Sequence, residues 1–290
     1  MTLPLVVGVD GSDGSLLAVD WAVDEAARHD LPLRLVYASL WERYEAGVPS
    51  DSGERPSERV LAEHIVASAA ERAALRSPDV KVTADVLLDD AVRALLSAGD
   101  GAHALVTGSR GRSELTGLLL GSVGLAVAAR AHCPVIVVRG DRAGLAGGHE
   151  RILLGAGEPV SGAEAARFAF REAEARNCTL DVVRAWRCPA HEVGNQVVLA
   201  EVARQQEDKA SALLDTLLGE AQSAHPKVRV RSVTAEGPAH RILVDRSAAA
   251  DLVVVGARRR HGHVGLQLGR VAHTLLHHAE CPVAVVPQTD

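Results

Sequence analysis

Short apolar runs and amphipathic stretches alternate along the first half of the chain. Each run is rich in Val, Leu and Ile and ends near turn-forming residues, a pattern that predicts a β-strand, whereas apolar spacings of three and four predict helices. The predicted strands cover residues 3–10, 32–38, 80–88, 103–108 and 133–140. The predicted helices cover residues 15–29, 58–76, 90–98 and 122–131, with a polar loop at 42–57. Strands that alternate with helices imply crossover connections and a parallel sheet covered on both faces.

The second half of the chain repeats the first. The sequence CPVIVV begins at Cys133, and CPVAVV begins at Cys281, 148 residues later. The same spacing separates Gly108 from Gly256, and PLVVGVDG near the start corresponds to RILLGAGE in the second half. A repeat of this length indicates a duplicated domain rather than a solenoid unit.

The repeat divides the chain into two domains of ordinary size. The first covers residues 1–140 and the second residues 151–290, with a linker over residues 141–150 that is rich in glycine and charge. We therefore predict an α/β fold with two tandem, doubly wound, parallel sheets. Each sheet is expected to have five strands and helices on both faces, as in Rossmann-like folds.

The composition narrows the class of protein. Apolar residues make up 47% of the chain and aromatic residues only 2%, so the core must be mainly aliphatic. The formal net charge of −6 argues against a nucleic-acid-binding protein, because such proteins usually carry a basic excess. The first residues lack the pattern of a signal peptide, and no apolar run reaches the roughly 18 residues that span a bilayer. We expect a cytoplasmic protein that binds neither nucleic acid nor membrane.

A glycine-rich stretch follows the fourth predicted strand. Residues 108–122 read GSRGRSELTGLLLGS, and ligands of parallel sheets bind beyond the carboxyl ends of the strands. Gly108 and Gly111 permit positive φ, successive N–H groups in such a turn can hold an anion, and Arg110 adds positive charge. Ser122 precedes a helical run, so we expect it to be the N-cap of a helix that faces the same anion. The stretch predicts a phosphate site, and a glycine turn without any ligand is the alternative.

The frame formed by Gly108, Gly111, Gly121 and Ser122 resembles the nucleotide-binding signature of universal stress proteins. The segments VGVDGS, LVTGSRG and CPVIVVR resemble the same family, and the resemblance covers nearly the whole chain as two tandem copies, similar to the type common in actinobacteria. It implies that the last strands of the two domains pair, which would make the chain an internal pseudo-dimer. Whether chains also form homodimers is left open.

The resemblance implies that the first domain binds ATP. Asp10 would face the adenine and ribose, Val36 would contact adenine through its backbone, and the glycine frame would wrap the ribose and phosphates. Ser109, Arg110 and Val123 would add nearby contacts. The full set of expected nucleotide-binding residues is Gly8, Asp10, Val36, Gly108, Ser109, Arg110, Gly111, Gly121, Ser122 and Val123. A Mg²⁺ ion is expected beside the phosphates, with protein ligands that the sequence does not identify.

Two of these residues have ordinary structural explanations as well. Asp10 belongs to an Asp-Gly pair, which is common in turns. Val36 lies in an apolar run, and the sequence alone favours its assignment to a strand core. Both explanations stay open at the level of the sequence.

The second domain departs from the frame. Gly157 stands where the first domain has Asp10, Arg259 replaces the second glycine, and Arg270 replaces the serine. A non-glycine residue at a positive-φ position costs about 1 kcal/mol or more, so we expect the loop to take another path. We predict that the second domain does not bind ATP in the family's manner. The basic run at residues 258–263 either forms a solvated loop or meets an anion or a carboxylate partner.

Three histidines, His273, His277 and His278, lie on a predicted helix near the end of the chain. The four-residue spacing of the first two can bind Zn²⁺, but closed zinc sites use four protein ligands and no third ligand is evident. Exposure on a helix surface explains these residues equally well, so no metal ligand is assigned.

Three functions from different classes remain open. The first, which we favour, is a regulatory or stress-response protein that binds ATP and acts through an unidentified protein partner. The second is a slow ATPase or a nucleotidyl or phosphoryl transferase, although the sequence supplies neither a Walker lysine nor a recognisable general base. The third is an interaction module that binds no nucleotide. We therefore predict no catalytic residues, with slow ATP hydrolysis left open.

Overall fold

A computed structural model of the chain describes residues 2–40, 58–109, 120–188, 196–258 and 268–288. The chain forms two compact units, Met1–Val138 and Arg139–Asp290. Among the described residues, no helix combines the length and the apolar character that crossing a membrane requires.

The first unit contains a parallel sheet flanked by helices. Its strands are β1 (Leu5–Gly8), β2 (Leu33–Ala38), β3 (Val82–Leu87), β4 (Ala104–Gly108) and β5 (Val135–Val138). Its helices are α1 (Asp13–His29), α2 (Glu58–Arg76), α3 (Ala91–Gly99) and α4 (Ser122–Arg130). The strands lie in the order β3-β2-β1-β4-β5, and all neighbours are parallel. Helix α1 packs against α2 and α3 against α4, as the two helical layers of a doubly wound sheet do.

The second unit repeats this architecture. Its strands are β6 (Arg151–Gly155), β7 (Thr179–Trp186), β8 (Arg229–Glu236), β9 (Leu252–Arg258) and β10 (Val283–Gln288). Its helices are α5 (Arg142–Leu145), α6 (Pro159–Ala175), α7 (Gln196–Ala224), α8 (Ala239–Ser247) and α9 (Arg270–His278). The strand order is β10-β9-β6-β7-β8, again with parallel neighbours. The predicted fold class, with tandem parallel α/β sheets, is confirmed.

Helix α1 shows why the amphipathic pattern folds as the spacing predicts. The Ser12 hydroxyl caps its N-terminus by accepting from the backbone N–H of Ser15, and Asp13 complements the helix dipole in the first turn. The helix ends at Asp30, which adopts a left-handed conformation with φ 52°. Its buried apolar face, which packs against β1, β2, β4 and β5, includes Ala18, Val19, Ala22, Val23 and Ala26. The helix thereby brings its first turn to the carboxyl ends of the strands.

Part of the predicted linker packs against the second unit. The backbone N–H of Asp141 donates to the carbonyl of Glu280 at 3.1 Å. Gly140 has φ +104°, and a Cβ there would overlap the Glu280 carbonyl, so the chain requires glycine at this position. Asp141 Oδ1 accepts from the N–H of Gly144 at 2.8 Å as α5 begins. The start of the glycine-rich segment is therefore more closely packed than its composition predicts.

Candidate functional site

A cavity of about 340 Å³ lies at the carboxyl ends of β1, β2 and β4 in the first unit. The sheet register aligns these ends, since Gly8 lies opposite Val36 and Val7 opposite Val106. The lining residues are Gly8, Val9, Asp10, Ser15, Val36, Tyr37, Ala38, Ala91, Leu95, Thr107, Gly108, Gly121, Ser122, Val123 and Gly124. Seven of the ten predicted nucleotide-binding residues are thus brought together: Gly8, Asp10, Val36, Gly108, Gly121, Ser122 and Val123. The volume is within the range of small-molecule sites.

Asp10 lies two residues beyond the end of β1 and lines the cavity. Its Oδ1 accepts hydrogen bonds from the backbone N–H of Ser12 at 3.0 Å and from the Ser12 hydroxyl at 2.5 Å. The same Ser12 hydroxyl caps α1, so Asp10 helps to shape the turn that enters the helix. The turn explanation for Asp10 and its place on the cavity wall are therefore compatible.

Two hydroxyl groups on the cavity wall were not predicted from the sequence. The Ser15 hydroxyl donates to the Ser12 carbonyl at 2.9 Å and accepts weakly from the backbone N–H of Asp10 at 3.4 Å. Thr107, on β4, is 5% exposed, and its Oγ1 has no hydrogen-bond partner among the described residues. A buried hydroxyl without a partner costs free energy, so this oxygen is suited to a ligand that enters the cavity.

The N-terminus of α4 opens onto the same cavity. Gly121 is its N-cap, with φ −60° and ψ 143°, and no side chain caps the helix. The prediction that Ser122 is the N-cap is wrong, because extended backbone occurs one residue earlier and Ser122 is already helical. The uncapped N–H groups and the positive end of the helix dipole therefore face the space lined by Gly121, Ser122, Val123 and Gly124.

Gly108 has a different role from the one expected. It has no positive φ, because β4 continues through it and pairs it with Val138. A Cβ at Gly108 would instead overlap the backbone carbonyl of Gly14 in the first turn of α1. Glycine is required here for the close approach of β4 to α1, which narrows the crevice between them.

The remaining predicted residues lie beside the cavity or outside the described part of the chain. Ser109 does not line the cavity; its N–H donates to the Val138 carbonyl at 3.0 Å, and its carbonyl accepts from the Gly121 N–H at 2.9 Å. Ser109 thus ties β4 to β5 and to the N-terminus of α4. Arg110 and Gly111 lie outside the described residues.

An apolar wall completes the cavity. Ala91 and Leu95 of α3 line it, and a Cβ on Gly8 would lie 3.0 Å from Leu95 Cδ1, so α3 packs directly over the end of β1. Tyr37 and Ala38 extend the wall along β2. Helical spacing alone assigns Leu95 to the core, and no signal in the sequence separates a core residue from one that faces a cavity.

The second unit has a cavity of about 940 Å³ at the corresponding place. Gly155 lies opposite Val183, as Gly8 lies opposite Val36, so the two units can be aligned strand by strand. The described lining residues are Gly155, Ala156, Gly157, Glu158, Ser161, Gly162, Ala165, Arg184, Ala185, Ala239, Leu243, Val255, Gly256, Ala257, Leu268, Gly269, Arg270, Val271 and Ala272.

The second cavity keeps the backbone frame but not the polar side chains of the first. Gly157, Gly162, Val255 and Arg270 stand in the places of Asp10, Ser15, Thr107 and Ser122, respectively. One carboxylate and three hydroxyls are therefore lost, and a positively charged residue begins α9. Arg258 ends β9, while Arg259 and Arg260 lie outside the described residues.

His273 and His277 lie four residues apart on α9, with their ring centroids 4.6 Å apart. Burial, and then the charges of His273, His278 and Arg139, lower the pKa of His277 from its ordinary value. In the part of the chain that the structure describes, no third metal-binding side chain joins this pair. Two histidines alone do not form a closed zinc site.

Comparison with known proteins identifies the family. The model of the Universal stress protein family matches residues 1–139 and 148–287. A universal stress protein of Mycobacterium tuberculosis is 36% identical over 305 aligned positions, which cover 98% of this chain and 97% of the relative. One from Mycolicibacterium smegmatis is 31% identical over 288 positions, covering 97% and 96%. A crystal structure of a universal stress protein from Archaeoglobus fulgidus shares the fold, with a TM-score of 0.68 and 17% identity over 99% of this chain and 98% of that chain.

Each match of the family model falls on one half of the internal repeat and on one compact unit. The two curated relatives align over almost their full length with almost the full length of this chain. The chain therefore belongs to the universal stress protein family and carries two copies of the family domain in tandem.

Proposed function

We propose that this universal stress protein is a regulatory protein of the stress response that binds one ATP in its first domain and acts through nucleotide-dependent contact with a protein partner. The observation that carries the ATP site is the buried Thr107 hydroxyl, which lines the cavity and has no hydrogen-bond partner among the described residues. The N-terminus of α4 opens onto the same cavity without a side-chain cap. A ligand with both hydroxyl and phosphate groups would satisfy both features.

In the proposed pose, the adenine lies between the end of β2 at Val36 and the apolar side chain of Leu95. The ribose lies near Asp10, whose carboxylate accepts hydrogen bonds. The phosphates lie at the N-terminus of α4, beside Gly121 and Ser122, where the helix dipole favours negative charge. The lining of the cavity supports this direction, because most of its apolar residues come from α3 and β2 and its uncapped N–H groups come from α4.

A Mg²⁺ ion fits the same proposal. Mg²⁺ prefers oxygen ligands and commonly uses one or two carboxylates together with substrate phosphates. Of the described residues on the cavity wall, Asp10 supplies the carboxylate, and Ser122 supplies a hydroxyl at the helix N-terminus. The ion would neutralise part of the phosphate charge.

We also propose that the site binds ATP without rapid hydrolysis. Asp10 is the acidic residue of the described cavity wall, and its Oδ1 already accepts two hydrogen bonds from Ser12. The described wall contains neither lysine nor histidine, so it offers little to activate water or to stabilise a departing phosphate. Pairing of the two domains through their last strands, and of whole chains as dimers, stays a prediction.

The test begins with the nucleotide content of the purified full-length chain. We expect denaturation to release an adenine nucleotide that mass spectrometry identifies, and calorimetric titration of the nucleotide-free chain to show ATP binding. The Asp10→Asn variant should bind ATP about tenfold more weakly, because a hydrogen bond to a charged group contributes about 1.5–3 kcal/mol. Asp13→Asn is the matched control, since Asp13 lies in the exposed first turn of α1 outside the cavity wall.

Two results would replace the proposal with another function. ADP release within minutes, abolished by Asp10→Asn, would indicate an ATPase or a transferase. Failure of the wild-type chain to bind ATP, ADP or AMP at millimolar concentration would indicate an interaction module without a nucleotide.

A further inference from the structure

An arginine joins two parts of the second cavity wall, at the position that Tyr37 occupies on the wall of the first cavity. Arg184 lies on β7 one residue after Val183, as Tyr37 follows Val36 on β2. Its Nη1 donates to the backbone carbonyl of Gly157, and its Nη2 donates to Glu158 Oε1 at 2.7 Å. The guanidinium therefore links the end of β7 to the turn that follows β6.

The two cavities differ in which residues of this strand line them. Val36 lines the first cavity, whereas Val183, its counterpart on β7, does not line the second. Arg184 and Ala185 line this wall of the second cavity, as their counterparts Tyr37 and Ala38 line the same wall of the first. In the proposed pose, this is the wall that the adenine contacts.

We infer that Arg184, held by Glu158, is the specificity-determining residue that closes the second cavity to an adenine base, so that the chain binds one nucleotide rather than two. The inference rests on the proposed ATP site of the first domain. Lack of room does not explain the asymmetry, because the second cavity has about 940 Å³ and the first about 340 Å³. The difference that we infer to be decisive is the guanidinium of Arg184 on the wall that the adenine would contact.

Displacing Arg184 from this place is unfavourable. Its side chain is only 12% exposed, whereas that of Glu158 is 55% exposed. A guanidinium that has lost most of its hydration depends on the Gly157 carbonyl and the Glu158 carboxylate for compensation. Adenine carries no carboxylate or other negative charge, so a base that displaced the guanidinium would leave it poorly compensated.

The test transfers the arginine to the first domain. In the full-length chain, Tyr37→Arg places a guanidinium beside Asp10 at the equivalent position. Thr83→Arg is the matched control, because Thr83 is an exposed residue of β3 outside the cavity wall and its replacement adds the same charge. Calorimetry with ATP and with adenosine gives the affinity and the number of sites, and circular dichroism checks folding.

Adenosine has no phosphate groups, so its affinity shows the effect of a substitution on binding of the nucleoside without the effect on the phosphates. We expect the wild-type chain to bind one ATP, Tyr37→Arg to lose at least about tenfold in affinity for both ligands, and Thr83→Arg to bind both as the wild type does. Equal affinity of Tyr37→Arg and wild type for adenosine would overturn the inference and leave the proposed function intact. Two ATP molecules per wild-type chain would overturn the inference and the single site of the proposed function, but not ATP binding itself. No binding by the wild type would overturn ATP binding as well.

A second variant keeps the inference testable if Tyr37→Arg does not fold. Arg184→Tyr restores the residue type that the first domain has at this position. We expect it to create a second and weaker adenosine site per chain, since the second cavity also lacks counterparts of Asp10 and Thr107, while Thr83→Tyr creates none. A folded Arg184→Tyr chain that still binds one adenosine would overturn the assignment of Arg184.

Discussion

Replacing Thr107 by valine should stabilise the chain without nucleotide and weaken its binding of ATP. The Thr107 hydroxyl is buried on β4 and has no hydrogen-bond partner among the described residues. Valine has nearly the same shape, so Thr107→Val removes the unpaired oxygen without leaving a cavity. The two effects have opposite signs because the hydroxyl is unfavourable when the cavity is empty and favourable when a ligand bonds to it.

The expected magnitudes follow from the cost of an unpaired hydroxyl. Leaving a buried polar group unsatisfied costs about 1–3 kcal/mol, so the nucleotide-free variant should be about 1 kcal/mol more stable. A typical hydrogen bond contributes about 1 kcal/mol, which corresponds to about a fivefold loss of ATP affinity.

Urea unfolding of the nucleotide-free chain measures the first effect, and calorimetric titration with ATP measures the second. The matched control is Thr83→Val on β3, where the hydroxyl donates to the Leu33 carbonyl at 3.4 Å away from the cavity. The control should neither raise the stability of the nucleotide-free chain nor lower its affinity for ATP. If Thr107→Val lowers stability without nucleotide, or leaves the ATP affinity unchanged, the hydroxyl is not a ligand-binding group.

Two further predictions concern other parts of the chain. Gly108→Ala should lower the free energy of unfolding by about 1–3 kcal/mol, because the added Cβ would overlap the Gly14 carbonyl. Gly219→Ala in α7, where no neighbouring atom lies within 4 Å of the added Cβ, should raise it by about 0.5–1 kcal/mol. Equal effects of the two variants in urea unfolding would contradict the close approach of β4 to α1. His277 has a lowered pKa in the folded state, so the unfolded chain takes up the proton first, and stability should fall as the pH drops below the ordinary value of 6.5. His277→Gln should reduce that loss in thermal midpoints measured between pH 7.5 and pH 5, and an identical pH dependence in the variant would contradict it.

The sequence was sufficient to predict the fold and seven of the fifteen residues that line the cavity. Strand and helix periodicity predicted the alternating elements, and the parallel sheet then required residues at the ends of β1, β2 and β4 to meet. Gly8, Asp10 and Val36 therefore line the same cavity as Gly108, Gly121 and Ser122. The internal repeat predicted the division into two domains, because CPVIVV and CPVAVV lie 148 residues apart, as do Gly108 and Gly256.

The sequence could not predict the contacts that depend on exact placement. The N-cap of α4 is Gly121 rather than Ser122. The backbone changes from extended to helical after Gly121, and the residue preferences at N-caps do not determine where that change occurs. In the sequence, Thr107 has the features of any buried strand residue, because the cavity beside it exists only in the folded chain. The pair between Arg184 and Glu158 joins residues 26 positions apart, and only the sheet register brings them together.

The number of ATP molecules bound per chain tests the central claim most directly. Native mass spectrometry of the full-length chain, titrated with ATP and Mg²⁺, counts them without assuming where they bind. The account predicts one ATP per chain at saturation, and a clearly lower occupancy of the Tyr37→Arg chain at the lowest ATP concentration that saturates the wild type. Two ATP molecules per wild-type chain, or none, would contradict it.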